Sequence, residues 1–598
     1  MSHTFHIPVL GLGFSIDTPL KVARYGISSV VSIVDDELIE RMRKFHSPEG
    51  NPFTPIEKGD HLSRSARITA YLNLLDDLVD QQHEKLKQQG FSSGSEITRY
   101  FELLPPQSED KIVYELMLSE RNPYKKSYLQ NRLRSHIRKG AIDVNIMSKV
   151  DKVNHQKNGD KGSEQLSDAL AALQGYANSK LCSSLILSAG LNPRLYTFIE
   201  EFPDFYPSGK SAARKKIILK VSDYRSAFIQ AKFLAKKGIW VHEFRIESGL
   251  NCGGHAFATE GYLLGPILEE FKQKRNDMIG ELFEGYQTAL ADKGFEFISC
   301  PMTRLTVQGG IGTAEENEFL QKHYQLDGTG WGSPFLLVPE ATNVDDKTLK
   351  LLVESDEQDF YISGSSPLGI PFNNFRKSSA EAQRIQRIKE GRPGSPCTKK
   401  YLVSNTEFTE EPICTASRKY QSFKIKELNA KALPTAEYEK RFSEITEKVC
   451  LCVGLCSSVY IKNNMLKPRE NSAVTICPGP NTAYFSGIYT LDEMVKHIYG
   501  KLNLLEGSNR PNMFVNEIKL YIDYFRKDTE TNIREITAKK TKQLEKFKEQ
   551  LISGINYYTD LLPDLITMGQ AIDNSIQDEL ARLKMLVDQI RVPGSPAN

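Results

Sequence analysis

No apolar run in this 598-residue chain approaches the ~18 residues a spanning helix needs, so no membrane-spanning helix is expected. The first residues, "MSHTFHIPVLGLGF", lack the basic stretch and long apolar core of a secretory signal, so a cytoplasmic location is expected. Net charge is almost absent: 77 basic against 75 acidic side chains leave +2, and nothing global calls for nucleic acid or an anionic membrane surface. Cysteine is sparse and odd in number, nine in all, which speaks against a disulfide framework and for a reducing compartment. There is no internal repeat. Histidines do not pair with the cysteines at zinc-binding spacings.

What is present is a recurrence of short apolar, β-prone runs alternating with helical patterns. The strand candidates are 7–13, 28–34, 143–149, 183–190, 216–223, 242–248, 304–310 and 328–337. Strands separated by helices pair in parallel through βαβ crossovers. Eight such units predict an α/β protein, a (β/α)8 barrel of the TIM type within residues 1–345. An open doubly wound sheet is the alternative. Residues 60–138 read as a helical insertion, in which Ile68, Leu72, Leu75 and Val79 form one apolar face. A loop-rich extension or lid follows over 346–430, then a mixed and increasingly helical region over 431–598. In that last region Ile533, Leu544, Phe547, Leu551, Ile555, Tyr558 and Leu562 form a stripe, and Pro563 is expected to end or kink its helix. The stripe could serve a homodimer or pack back on the barrel.

Barrel chemistry belongs at the C-terminal strand ends, with phosphate groups on the loops after the seventh and eighth strands. Here those loops read "QGGIGT" (Gly309, Gly310, Gly312) and "DGTGWGS" (Gly328, Gly330, Gly332, Ser333). Glycine lets backbone N–H groups approach an anion, and the helix starting after Thr313 would add its dipole. The sixth strand runs into "ESGLNCGGH". Gly253 and Gly254 would let backbone lie against a flat ligand, and His255 would project over the mouth as an acid, base or hydrogen-bond donor.

A strand ending in Gly-Gly-His, another ending in Gly-Gly-Ile and a Gly-x-Gly turn resemble the FMN-dependent nitronate monooxygenase group. That group is also called 2-nitropropane dioxygenase-like. It includes flavin enoyl-acyl-carrier-protein reductases and the enoyl reductases of polyunsaturated fatty acid synthases. The opening "IPVLGLG…TPLKVARYGISSVVSI" is similar to the group's first βαβ unit. The resemblance implies FMN phosphate on Gly309, Gly310, Gly330, Trp331, Gly332 and Ser333. It implies Asn145 and Gly253 beside the flavin, and His255 as the catalytic or substrate-orienting residue. Lys220, at the end of the fifth strand, would stabilise negative charge on the reduced ring. The implied partner is a small-molecule substrate, an alkyl nitronate or an enoyl thioester. "ESGLNCGGH" departs from the group's usual Glu-Ala-Gly-Gly-His, with Asn251 and Cys252 in place of the expected residues.

Two other readings stay open: a sugar-phosphate isomerase or lyase without flavin, and a barrel scaffold that binds a protein. Cys450, Cys452, Cys456 and Cys477 could ligate an iron–sulfur cluster, but "VCLCVGLCSSVYI" reads more simply as a buried run. "GRPGSPCTKK", with Arg392 and two lysines near prolines, reads as a solvated loop, the alternative being a lid that contacts phosphate or a carboxylate.

Overall fold

A computed structural model describes residues 2–47, 53–59, 62–148, 151–152, 167–188, 190–208, 212–251, 260–296, 299–531, 537–567 and 575–594. Eight parallel strands close into a barrel in chain order: β1 (Phe5–Ile7), β2 (Ser28–Ser32), β3 (Ile142–Met147), β4 (Ser184–Ser188), β5 (Lys216–Val221), β6 (Val241–Glu247), β7 (Arg304–Gln308) and β8 (Gly328–Gly330). The predicted (β/α)8 architecture is therefore present. The first strand lies earlier than the expected 7–13, sharing only Ile7 with it, and the eighth ends at Gly330 rather than at 337. "VLGLG" after β1 is turn rather than strand, and after β8 the chain passes into a 3-10 turn, Ser333–Leu337, led by Pro334.

Alternation along the strands explains the layering. Leu185, Leu187, Ile217, Leu219, Phe244, Ile246, Leu305 and Val307 face outward into one core shared with the surrounding helices. Val30, Ile186 and Ile218 form a small cluster inside the barrel with Val9. Apart from Met147 and the glycines of β8, the other inward positions are mostly polar. Glu243 accepts from Thr306 Oγ1 at 2.7 Å and pairs with Arg245 Nη2 at 2.7 Å and Arg304 Nη1 at 3.1 Å. Burial alone would raise the Glu243 carboxyl, but the Arg245 and Arg304 guanidiniums outweigh it and bring it from 4.5 to about 2.

The helical insertion between β2 and β3 comprises the helices Ser63–Lys87, Glu96–Leu103, Glu109–Ser119 and Pro123–His136. Ile68, Leu72, Leu75 and Val79 are all fully buried. The first helix packs against Asp168–Ala177 at Gly175, where an added Cβ would come within 2.7 Å of Ile68 Cβ. Arg64 Nη1 and Arg67 Nη1 bind the two oxygens of Asp36, just past β2, at 2.8 and 3.0 Å.

Beyond the barrel an antiparallel pair, β9 (Phe360–Ser363) and β10 (Phe372–Phe375), opens the C-terminal region. Its Ala538–Thr567 helix continues through Pro563 rather than stopping there. The stripe residues Leu544, Phe547, Leu551, Ile555, Tyr558 and Leu562 are buried within this chain, where Tyr558 Oη meets Gly265 N at the start of the Leu264–Asp292 helix. Ile533 lies outside the described residues. No helix among the described residues is long and apolar enough to cross a membrane.

A carboxyl held below its ordinary value stabilises the fold fully above 4.5 and loses that contribution as pH falls towards about 2. Glu243→Gln removes the closer carboxylate of buried Arg245, leaving it Asp143 at 3.6 Å, and should cost about 3 kcal/mol at neutral pH. Denaturant titrations should show that the wild type loses its advantage over the variant on acidification through that window.

Candidate active site

The strand ends frame a cavity of about 110 Å³ at the barrel mouth. Asn145 and Lys220 both line it, on β3 and β5, together with Ser32, Met147 and Ser188 from neighbouring strands. Its roof comes from chain far beyond the barrel: Phe372 on β10, Tyr401 and Leu402 from the following loop, and Leu451, Cys452 and Leu455 from the Leu451–Lys462 helix. The walls are mostly apolar. Asn145 Oδ1 is buried and has no hydrogen-bond partner, an expensive state for an amide oxygen in such surroundings.

Lys220 Nζ lies 3.0 Å from Glu247 Oε1, the last residue of β6. The same carboxylate accepts from Gln308 Nε2 at 2.8 Å and from Asn251 Nδ2. Gln308 Oε1 in turn faces His6 Nε2 at 3.5 Å. Burial, reinforced by the nearby Arg245 cation, holds His6 well below 6.5, so it stays neutral. A polar arc thus runs from β5 across β6 and β7 to β1. Glu247, Gln308 and His6 were not among the sequence candidates. The signal for Glu247 and Gln308 was visible in "HEFRIE" and "RLTVQ", where a polar residue at every second position marks a strand with a polar inner face.

The glycine turns stand side by side, because β7 and β8 pair Gln308 with Gly330. Gly309 (φ 107°) and Gly310 (φ 82°) adopt left-handed backbone that only glycine takes without strain. Added Cβ atoms there would strike Ser248 Oγ at 2.6 Å and Leu250 Cδ1 at 2.6 Å, so these glycines also admit the turn that follows β6. Trp331 differs from its expected part. Its indole is buried away from the mouth, donates to Thr329 Oγ1 at 3.2 Å and stands edge-on to His497, so only its backbone is left to meet a ligand. Ser333 sits at the start of the 3-10 turn, beside Gly479.

The helix end expected to hold an anion is already capped by the chain itself. Glu316 Oε2 accepts from Gly312 N at 2.8 Å and Thr313 N at 3.3 Å, while Thr313 caps the Ala314–His323 helix in return. Arg510 holds that carboxylate through Nη1 at 2.8 Å and Nη2 at 2.9 Å, and also donates to Gly310 O at 2.7 Å. Asn481 Nδ2 donates to Ile311 O at 2.9 Å. The C-terminal region therefore covers this side of the turns, and the end of the Ala314–His323 helix is already occupied by Glu316.

Cys252, Gly253, Gly254 and His255 lie outside the described residues. The stretch leading to them is pinned: Ser248 N donates to Gln308 O at 3.1 Å and Asn373 Nδ2 to Asn251 O at 3.0 Å. "GRPGSPCTKK" is only partly the solvated loop expected. Arg392 and Lys400 are exposed, but Lys399 forms a buried ion pair with Asp35. Cys452 and Cys456 are buried thiols; burial pushes Cys452 up to about 12, and Cys456 Sγ lies 3.3 Å from Asp35 Oδ2. Among the described residues no three or more His, Cys, Asp or Glu side chains are grouped so as to hold a metal ion.

No protein-family model matches the chain. No curated protein matches it. Among solved structures, the chain is similar to the enoyl reductase domain of MlnA from the macrolactin biosynthesis cluster of Bacillus amyloliquefaciens. That match has 13% sequence identity and a TM-score of 0.30, and covers 71% of this chain and 93% of that one.

The Glu316–Arg510 pair has both side chains only 4% exposed. Arg510→Met should destabilise the protein by about 3–5 kcal/mol by leaving Glu316 buried without its cation. Glu316→Leu/Arg510→Met should cost less than that single change, which a double-mutant cycle in denaturant measures directly.

Proposed function

We propose that this chain is an FMN-dependent oxidoreductase acting at the barrel mouth on an activated, largely apolar substrate, an α,β-unsaturated thioester in preference to an alkyl nitronate. The observation that carries the reading is the unpartnered Asn145 Oδ1, facing an apolar cavity that Lys220 also lines. An isoalloxazine ring would offer the unpartnered amide oxygen a ring N–H, and the ammonium, already paired with Glu247, a second acceptor. Apolar walls suit its faces. Two glycine turns on adjacent strands supply backbone for the phosphate end, at Gly309, Gly310, Gly332 and Ser333, with Gly330 allowing β8 to approach Gln308 and His6.

When bound, FMN supplies hydride or electron transfer, which no side chain here can perform. The chain's part is to bind, orient and polarise. Lys220 would place positive charge beside a bound ring, and Glu247 fixes the direction of its ammonium. Neutral His6 and Gln308 add no further charge to the floor of the site. His255 is assigned to orient the substrate or protonate it. The roof of Phe372, Leu402, Leu451 and Leu455 excludes water and provides an apolar surface for an acyl chain, which is why a thioester is favoured over a nitronate.

Protein purified from an FMN-replete host should be yellow and should release about one FMN per chain on denaturation. Lys220→Met should weaken FMN retention by about 10–100-fold, the loss of a charge-assisted hydrogen bond. His255→Ala should keep its flavin and lose about 10²–10⁴ in turnover. Assays with an enoyl thioester and with an alkyl nitronate separate the two substrate classes. A colourless protein that takes up no added FMN would overturn the proposal.

A further inference from the structure

The loop that roofs the mouth is closed by two short backbone pairings. Ser395 N donates to Ala416 O at 3.0 Å, and Arg418 N donates to Ser395 O at 2.8 Å. Farther along, Asn405 and Ile413 exchange backbone bonds at 3.1 and 2.8 Å. Cys397 and Cys414 fall between these pairings, and the Cys414 thiol donates a hydrogen bond to the Cys397 sulfur. Along the chain, Lys399, Tyr401 and Leu402 lie between the two cysteines. Lys399 and Tyr401 bind the carboxylates past β2, while Tyr401 and Leu402 line the mouth cavity.

The two sulfurs are not equivalent. Cys397 is half-buried, whereas Cys414 is only 4% exposed. The hydrogen bond from Cys414, helped by the Lys400 backbone N–H and the Lys400 and Lys152 cations, holds the Cys397 thiol below its ordinary value against the effect of burial. Cys414, the donor in that bond and more deeply buried, shifts the opposite way. Burial also pushes Cys450, Cys452 and Cys456 upward. One accessible, thiolate-prone sulfur therefore touches a second thiol. In such a pair, oxidation of the first sulfur is resolved by the second before it goes further.

We propose that Cys397 is an oxidative modification site, at which hydrogen peroxide converts the Cys397–Cys414 pair into a reversible disulfide that staples the roof loop. The Cys397 thiolate attacks one peroxide oxygen. The O–O bond breaks, and the departing hydroxide takes up a proton to become water. Cys397 is now a sulfenic acid, oxidised by two electrons as the peroxide is reduced. The Cys414 sulfur then attacks the Cys397 sulfur. The S–O bond breaks, and the hydroxyl leaves with the Cys414 proton as a second water. A dithiol restores both thiols by exchange. The new bond closes a ring of chain that contains Lys399, Tyr401 and Leu402, so oxidation restricts the segment covering the cavity. The consequence for the mouth rests on the oxidoreductase reading; formation of the disulfide does not.

Trypsin separates the two cysteines, because cuts at Lys389, Lys399, Lys400 and Arg418 release 390–399 and 401–418, each with one cysteine. Protein treated with a small excess of peroxide, then alkylated and digested, should yield these peptides linked and two hydrogens lighter than their sum. Dithiothreitol before alkylation should return both to the alkylated form. Amide hydrogen exchange across 398–413 should slow by about tenfold in the oxidised protein. Cys414→Ser should let Cys397 pass on to the sulfinic acid. Cys182→Ser, at an exposed cysteine elsewhere, should leave the linked peptides in place. Two alkylated thiols after peroxide, a link from either cysteine to a different one, or sulfinic acid at Cys397 of the wild type overturns the proposal. Linked peptides with unchanged exchange across 398–413 overturn the staple. Linked peptides and slowed exchange in a protein that takes up no FMN uphold the modification site and sink the oxidoreductase reading alone. If Cys414→Ser fails to fold, the wild-type digest decides.

Discussion

Two adjacent carboxylates just past β2 tie the parts of this molecule together. Asp35 and Asp36 are buried, and buried charge is tolerated only with close partners. Asp36 takes its partners from the insertion, Arg64 and Arg67. Asp35 takes Lys399 from the C-terminal extension, and Tyr401 reaches both carboxylates, at 3.2 and 2.9 Å. Cys456 on the roof helix adds its thiol to Asp35. One strand end thus fastens the helical insertion on one side and the roof of the mouth on the other. The cavity at the mouth exists because the loop carrying Tyr401 and Leu402 is held down here.

The same logic recurs at the opposite side of the mouth. Glu316 stands between the glycine turn after β7 and Arg510, and Met513 N donates to its Oε1 at 2.7 Å. A carboxylate at a helix N-terminus is favourable in itself. Here it also recruits the C-terminal region, so that the loop at Gly479 presses against Ser333 and Asn251. Between these two clamps Glu247 organises the interior: a single anion orients Lys220, Gln308 and Asn251. Charge is concentrated at these clamps and around Glu247, while the walls of the mouth cavity are mostly apolar.

Much of the barrel was legible in the sequence, because strand and helix periodicities are local properties. Val144 and Ile146 alternate with Asp143 and Asn145, and that alone puts Asn145 on the inner face. Lys220 follows by the same rule on β5. The glycine turns were legible as turns, but Trp331 could equally face a ligand or the core, and only its neighbour His497, 166 residues later in the chain (497 − 331), settles it in the core. The loop with Lys399 looked solvated since lysines beside prolines usually are. Its burial depends on Asp35, which lies 364 residues earlier.

By itself, then, the sequence determined the alternation of strands and helices, the inward placement of Asn145, Lys220 and the glycine turns, and the need for cations wherever a carboxylate would be buried. Tertiary structure alone decided which cation met which carboxylate, that the C-terminal region roofs the mouth, and that Glu316 occupies the helix end an anion would otherwise take. The physical reason is range. Backbone propensity and side-chain alternation act over a few residues, whereas a buried ion pair or an apolar roof is chosen by which distant segments the closed barrel brings within a few ångströms of each other.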